Sequence, residues 1–231
     1  MIMVNDKTRE MFVYDMIGPS WLGMDAGDTM VEALAMLGSG PVSVRINSPG
    51  GDVFEGFAMY NALERHDGEV TTYNDGLVAS AATFPFLAGK KRVVGKLSQT
   101  MIHEASTFTR GTGDDLRKAA DLLDKINSQL ADLYAEVSGK DKDEILAMMK
   151  EEKWMDAAEA TAMKFATSDE QPATTANTRI VPAGMYRNTP ENYLKPIVRL
   201  QAVKQRPVPD KFDAERKRKI LDLTGIDLRV K

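Results

Sequence analysis

The chain has 231 residues, of which 43% are hydrophobic and 28% are charged, and these values fit one sizeable α/β domain, or one domain plus a tail. Its 30 basic and 34 acidic residues give a net charge of −4, so the overall charge does not point to nucleic acid or to an anionic membrane. The absence of cysteine excludes disulfides and a thiol nucleophile, and the two histidines argue against a histidine-rich metal centre.

Predicted strands and helices alternate from residue 9 to residue 164. Apolar, β-branched runs predict strands at 9–17, 41–46, 69–74, 91–95 and 99–103. Apolar residues at helical spacing predict helices at 30–37, 54–66, 114–138, 144–152 and 156–164. We expect Asp28 to cap the first of these helices, and Asp141 with Glu144 to form a capping box for the fourth. Residues 75–89 indicate a turn that leads into a buried apolar helix. This alternation predicts an α/β domain.

The character of the sequence changes near residue 170. From there on, several prolines and small polar residues follow with little periodicity, which is typical of an extended or partly disordered arm. We therefore predict a folded domain at 1–170 and a proline-containing extension at 171–231. Apolar residues of the extension, such as Tyr186 and Tyr193, suit docking in an extended conformation, so we expect a binding or assembly arm.

The first candidate for chemistry is the sequence NSPGG (47–51), which directly follows a predicted strand. Adjacent glycines let the backbone adopt conformations closed to other residues and approach another chain closely. A tight strand-to-helix turn explains the same residues equally well, since glycine-rich turns are common in α/β proteins.

The second candidate is Ser80, within GLVASAA (76–82). A serine among small residues at the start of a helix can direct its hydroxyl and the next backbone N–H into one cavity. The helix N-terminus adds positive potential where an oxyanion develops. Taken alone, the pattern fits a small-residue helix packed against a sheet better, with Ser80 hydrogen-bonded locally.

The third candidate is His103, at the end of a predicted apolar strand, where α/β sheets usually display active-site groups. A structural histidine is the alternative, and His66, at a charged helix end, is not assigned any chemistry. A serine nucleophile needs a base, the base needs an orienting acid, and the tetrahedral intermediate needs two fixed N–H donors. The three candidates together supply a donor loop, a nucleophile and a base.

The segments RINSPGGDVFEGFAMYNAL, DGLVASAATFPFLAG, MIH and WMDAAEA resemble the ClpP peptidase family in order and spacing, from about Arg9 to Asp169. The resemblance implies a ClpP/crotonase-like spiral of ββα units, followed by the extended C-terminal arm. It is strongest to the ClpP-like head maturation (prohead) proteases of phages and prophages. It therefore implies a serine endopeptidase that processes scaffold or capsid protein and needs neither cofactor nor metal.

By this resemblance, Ser80 is the nucleophile, His103 is the base, and the backbone N–H groups of Gly51 and Ala81 form the oxyanion hole. Glu152 aligns with the orienting acid, where other members of the family carry aspartate.

Two further carboxylates stay open as the third acid. Glu151 is the runner-up to Glu152, and Asp156 is a more distant choice. A solvated helix end is the alternative interpretation of Glu151 and Glu152.

The resemblance also implies a protein or peptide substrate and self-association into a ring-like homo-oligomer. The helix at 114–138 would mediate that association, unless its apolar stripe is simply core. A short N-terminal segment argues against a Clp ATPase partner. The segment MIMVNDKTRE lacks a signal-peptide core and no stretch is long enough to cross a bilayer, so we expect the cytoplasm of a bacterial host, or the inside of a procapsid.

Several alternatives stay open. The chain could be a Clp-type proteolytic subunit that works with an ATPase, or a ClpP-like assembly subunit without catalysis. Crotonase-type CoA enzymes share the paired N–H donors but usually rely on carboxylates. Signal-peptide peptidases share the fold but use a lysine base.

Overall fold

The computed structural model describes residues 2–18, 26–168 and 185–189, which all belong to one unit from Met1 to Lys195. Its centre is a seven-stranded sheet. The strands are β1 (Ile2–Asn5), β2 (Glu10–Val13), β3 (Val42–Ser48), β4 (Val70–Ala79), β5 (Lys91–Val94), β6 (Gln99–Ile102) and β7 (Lys153–Met155). The helices are α1 (Ala26–Leu37), α2 (Val53–Glu64), α3 (Thr83–Leu87), α4 (Gly113–Ser138), α5 (Lys142–Lys150) and α6 (Ala157–Ala162). A single 3₁₀ turn, Ser80–Ala82, joins β4 to α3.

The sheet divides along β4. Strands lie in the order β1-β2-β3-β4-β6-β7, with β2, β3, β4 and β6 parallel and the end strands β1 and β7 antiparallel to their neighbours. The first half of β4 pairs with β5 and its second half pairs with β6. The carboxyl ends of β4 and β6 therefore lie side by side, at the edge where parallel sheets usually hold functional groups.

An irregularity between β3 and β4 precedes that edge. The register shifts between Ile46 and Ser48, and Asn47 Oδ1 accepts a hydrogen bond of 3.1 Å from the Leu77 N–H inside the shift. Extra residues in one strand of a pair bend that strand, and such bulges are frequent next to active sites. Here the bend comes just before Ser80.

An aromatic cluster joins α3 and α4 in the main core. The fully buried rings of Phe84 and Tyr134 stack with centroids 6.5 Å apart, and Phe165 lies 5.5 Å from Tyr134. The Tyr134 hydroxyl shares a hydrogen bond of 2.7 Å with the Thr83 hydroxyl. Burial of one such ring contributes about 1.5–3 kcal/mol, so the cluster holds α4 beside the start of α3.

The apolar stripe of α4 is core at one end and exposed at the other. Ile126 and Leu130 are 4% exposed, whereas Leu116 is 46% exposed. The core interpretation is thus confirmed for the C-terminal half of the stripe, while a role of the helix in association stays a prediction.

The predicted helices and all five predicted strands are confirmed, with differences in detail. Asp28 lies in the first turn of α1, which begins at Ala26, so the expectation that it caps the helix was wrong. Asp141 caps α5 through the Asp143 N–H. Residues 75–79, expected as a turn, extend β4. β1 and β7 are too short for a recognisable alternation and were not predicted.

The predicted extension at 171–231 lies outside the described residues except for Met185–Thr189. The domain boundary at residue 170 therefore stays a prediction. Within the described ranges, no helix is both long enough and apolar enough to span a membrane.

Candidate active site

The fold brings Ser80 and His103 into direct contact. Ser80 opens the 3₁₀ turn after β4, and His103 follows the neighbouring strand β6. Ser80 Oγ lies 2.8 Å from His103 Nε2. Ser80 has a φ of 54°, in the left-handed region. Such strain costs a non-glycine residue about 1–3 kcal/mol and is concentrated at functional sites.

The surroundings of His103 favour its neutral form. Burial lowers the pKa of His103 below its usual value, while the negative charge of Glu152 opposes that shift and the charge of Arg187 adds to it. A neutral imidazole can accept a proton. At neutral pH, His103 is therefore able to take the proton of the Ser80 hydroxyl.

Glu152 lies opposite His103 on the next strand. Ile102 of β6 pairs with Lys153 of the antiparallel strand β7. One position beyond this pair, His103 after β6 faces Glu152 before β7. Glu152 is 5% exposed and has a φ of 57°. The structure thus places the predicted acid beside the base, although no hydrogen bond joins these two described residues.

The Glu152 carboxylate is instead held by three N–H donors. Trp154 Nε1 donates to Oε1 at 3.2 Å, the Asn188 N–H donates to Oε1 at 2.6 Å, and the Arg187 N–H donates to Oε2 at 2.8 Å. A buried charge is costly unless it is hydrogen-bonded. These donors therefore stabilise Glu152 where it acts on His103 through its charge.

The other two carboxylates considered as the third acid lie elsewhere. Glu151 has an exposed side chain at the end of α5. Asp156 caps α6, where its Oδ1 accepts the Glu159 N–H at 2.8 Å. Of the three, Glu152 is the one whose charge acts on His103.

The predicted donor loop is fixed by a parallel bridge to Ile17. The Ile17 N–H donates to Gly50 O at 2.8 Å, and the Asp52 N–H donates to Ile17 O at 2.8 Å. Because strand N–H groups alternate in direction, the N–H of Gly51 points away from Ile17. A Cβ on Gly51 would lie only 1.9 Å from Ile17 O, so the close approach requires glycine.

Ala81 supplies the second predicted donor. It lies in the first turn of the 3₁₀ segment, where backbone N–H groups have no partner within the helix. Gly51 and Ala81 line one cavity together with Ser80 and His103. The structure therefore brings the four predicted residues together.

This cavity has a volume of about 370 Å³. The rest of its lining comes mainly from α4 and the segment 105–109, with Asp52, Val53, Phe54 and Phe84 beside them. The side chains from α4 are apolar or aromatic: Ala119, Leu122, Leu123, Ile126, Leu130 and Tyr134. Apolar pockets with a few convergent polar groups are the usual form of ligand sites. An apolar side chain next to the scissile group fits this lining.

A short piece of the predicted extension also reaches the site, which the sequence did not predict. The Tyr186 ring meets the His103 ring edge-on at 5.2 Å, and its hydroxyl donates to the Pro49 carbonyl oxygen. The sequence indicates only that Tyr186 is suited to docking. Nothing in the sequence pattern indicates that it docks on His103.

His66 lies outside this cavity and bonds the Gly40 carbonyl oxygen through Nε2 at 2.8 Å. Within the described residues, no group of three or more histidine, aspartate or glutamate side chains is placed to hold a metal ion.

A serine hydroxyl bonded to an imidazole, beside two backbone donors and an apolar cavity, is the geometry of sites that transfer acyl groups through a serine nucleophile. The profile of the Clp protease family matches residues 7–167. The chain belongs to that family.

Relatives and a solved structure agree with this membership. The ATP-dependent Clp protease proteolytic subunit of Bacteroides fragilis is 32% identical over 121 residues, which are 52% of this chain and 58% of the relative. Subunit 2 of the same protease from Treponema pallidum is 33% identical over 133 residues, or 57% of this chain and 66% of the relative. The chain thus spans less than two thirds of either relative.

A mutant ClpP1 from Listeria monocytogenes has a TM-score of 0.65 at 21% identity, and the match covers 73% of this chain and 94% of that chain. The predicted ClpP-like α/β fold is confirmed.

Proposed function

We propose that this chain is a serine endopeptidase of the ClpP type, with Ser80 as the nucleophile and His103 as the general base. The observation that carries the proposal is the 2.8 Å contact between Ser80 Oγ and His103 Nε2, at the wall of a cavity large enough for a side chain. Membership of the Clp protease family supports the same reaction.

In the proposed mechanism, His103 Nε2 accepts the hydroxyl proton while Ser80 Oγ attacks a peptide carbonyl carbon. The N–H groups of Gly51 and Ala81 stabilise the developing oxyanion. The imidazolium then donates its proton to the leaving amine, which leaves an acyl group on Ser80. Water, deprotonated by His103, attacks this ester and releases the second product.

We assign Glu152 an electrostatic role in this reaction. His103 becomes positively charged in the transition state, and a buried carboxylate on the adjacent strand stabilises that charge. Because its oxygens are bonded to Trp154, Arg187 and Asn188, Glu152 acts on His103 without a direct hydrogen bond.

The apolar cavity supports substrates with an apolar side chain beside the scissile bond. Tyr134 and Phe84 close one part of the lining, and Ile126 and Leu130 form another. A charged side chain placed against the apolar residues of α4 would lose its hydration there.

Relatives support a proteolytic subunit that works with an ATPase more than they support head maturation. The two relatives described above are named ATP-dependent proteolytic subunits. The proposal of a prohead protease acting on scaffold or capsid protein rests on motif resemblance alone. Stimulation of peptide or protein cleavage by a bacterial Clp ATPase and ATP would support the proteolytic subunit. Cleavage of a capsid or scaffold protein without ATP would support the prohead protease.

We also propose self-association into a ring-like homo-oligomer. Leu116 and Leu122, on the exposed half of the α4 stripe, and the nearly fully exposed Phe108 support this. Exposed apolar side chains of this size suit an interaction surface. A sedimentation coefficient that corresponds to a monomer at micromolar concentration would contradict it.

A fluorophosphonate tests the central proposal. We expect one covalent adduct, located on Ser80 by mass spectrometry of the wild-type protein, and none on Ser80→Ala. Ser106→Ala is the matched control, since Ser106 lines the same cavity but does not contact His103. Absence of an adduct in the wild type would contradict the proposal.

Hydrolysis of acyl-CoA without peptide hydrolysis would favour the crotonase alternative.

A further inference from the structure

We infer that the segment Met185–Thr189 of the C-terminal extension is part of the catalytic centre, and that Tyr186 is a positioning residue for His103. This inference rests on the proposed function. It assigns to the extension a role inside its own subunit, in addition to any role as a binding or assembly arm.

Tyr186 is packed firmly between the base and the sheet. It is 8% exposed and belongs to a small apolar cluster with Leu77, Ala79 and Met101, on the second halves of β4 and β6. The Trp154 ring meets it edge-on at 6.0 Å. A side chain held on these strands has little freedom to move, so its edge contact limits the rotation of the His103 ring.

The Tyr186 hydroxyl links the base to the donor loop. It donates a hydrogen bond to the carbonyl oxygen of Pro49, next to Gly50 and Gly51. Burial raises the pKa of Tyr186 well above its usual value, so the hydroxyl stays protonated and remains a donor at neutral pH. One side chain therefore contacts both the imidazole and the loop that holds a predicted oxyanion donor.

The backbone of the same segment holds the third acid. Two of the three donors to the Glu152 carboxylate are the N–H groups of Arg187 and Asn188. Arg187 Nη2 donates to the Lys150 carbonyl oxygen at 3.1 Å, and Asn188 Nδ2 donates to the Glu151 carbonyl oxygen at 2.9 Å. These contacts attach the segment to the end of α5, directly before Glu152.

The alternative interpretation is that the segment covers the active site and inhibits it, and two observations argue against this. The described residues of the segment do not line the substrate cavity. The Ser80–His103 hydrogen bond is formed while the segment is in place. The segment therefore contacts the base, and through the Tyr186 hydroxyl also interacts with Ser80, without lining the cavity.

The test compares Tyr186→Ala, Tyr186→Phe and Tyr60→Ala in the full chain, by the rate at which a fluorophosphonate phosphonylates Ser80 across a range of pH. We expect Tyr186→Ala to slow phosphonylation about tenfold or more, because small misplacements of a catalytic group are costly. Tyr186→Phe keeps the ring and should retain most of the rate. Tyr60→Ala is the control, since it removes a partly buried tyrosine ring that lies outside both the segment and the cavity lining.

The pH dependence separates positioning from a general loss of stability. His103 faces Ser80, Glu152, Tyr186 and Arg187, and burial is the main cause of its lowered pKa. Removing the Tyr186 ring admits water, so the pKa of His103 should rise and the acid limb of the phosphonylation profile should move to higher pH. A variant that only unfolds more easily would lose amplitude without this shift.

A second measurement does not depend on catalysis. With two histidines in the chain, the ring signals of His103 can be assigned by NMR with a His66→Gln variant. The His103 titration should move upward in Tyr186→Ala and much less in Tyr186→Phe. Equal phosphonylation rates and unchanged titration, or faster phosphonylation of Tyr186→Ala, would overturn the inference. If the wild type is not phosphonylated, the proposed function fails, and the NMR titration still decides whether Tyr186 lies on His103.

Discussion

The two sides of the proposed catalytic centre are held by different parts of the chain. Ser80 and His103 stand at the ends of neighbouring strands, within the region that matches the Clp protease family, and they contact each other directly. Glu152 lies in the same region, yet two of its three donors come from Arg187 and Asn188, beyond the match. The Ser80–His103 pair is therefore set by the sheet and contacts the extension only through Tyr186, whereas Glu152 takes most of its hydrogen bonds from the extension.

The largest loss of activity is expected on the serine side, from Gly51→Ala. The added Cβ would meet Ile17 O at 1.9 Å, so the loop must shift and its N–H donor moves away from the oxyanion. Loss of one such donor costs about 10²–10³ in kcat. Peptidase kinetics would measure this loss.

Gly38→Ala is the control for that change. Gly38 also has a positive φ, of 65°, but a Cβ there meets nothing within 4 Å. Gly38→Ala therefore adds a Cβ at a position of positive φ without disturbing the site. Comparable loss of activity in both variants would show that the effect of Gly51→Ala comes from stability and not from the donor.

On the acid side, we expect Glu152→Gln to lower kcat/KM by about tenfold to a hundredfold. This is less than the ~10⁴ typical of an acid hydrogen-bonded to the base, because Glu152 acts through charge. The negative charge raises the pKa of His103, so its removal should lower that pKa further and move the acid limb of the pH profile to lower pH.

Glu151→Gln removes an exposed charge one position away, and should change neither kcat/KM nor the position of the acid limb of the pH profile. If Glu151→Gln had the larger effect, the third acid would be Glu151. A shift of the limb to higher pH in Glu152→Gln would contradict the electrostatic role.

The smallest effect concerns the substrate cavity. Leu123→Asp places a carboxylate in its apolar lining, and we expect kcat/KM for peptides with leucine or phenylalanine before the scissile bond to fall about fivefold to tenfold. Met36→Asp also places a carboxylate at an exposed apolar position, in α1 and outside the lining, and should leave cleavage unaffected. Equal effects of the two substitutions would mean that the cavity does not bind the substrate side chain.

The serine side was largely predictable from sequence, because its parts are local. NSPGG, GLVAS and MIH each contain the carboxyl end of a strand, and parallel strands end at the same edge. The acid side was only partly predictable. β7 is three residues long, which is too short for a pattern, and the pairing that places Glu152 opposite His103 is a matter of register between distant segments. The contact between Tyr186 and His103 joins residues far apart in the chain, and no local propensity specifies it.

The left-handed conformation of Ser80 and Glu152 lowers the stability of the folded chain. Glycine would adopt a φ near 55° without steric cost, whereas serine and glutamate each give up about 1–3 kcal/mol of folding free energy there. A subunit that served only as a building block would be more stable with glycine in place of Ser80. That the chain keeps a hydroxyl at this position, against its own stability, argues for an enzyme and against an inert assembly subunit.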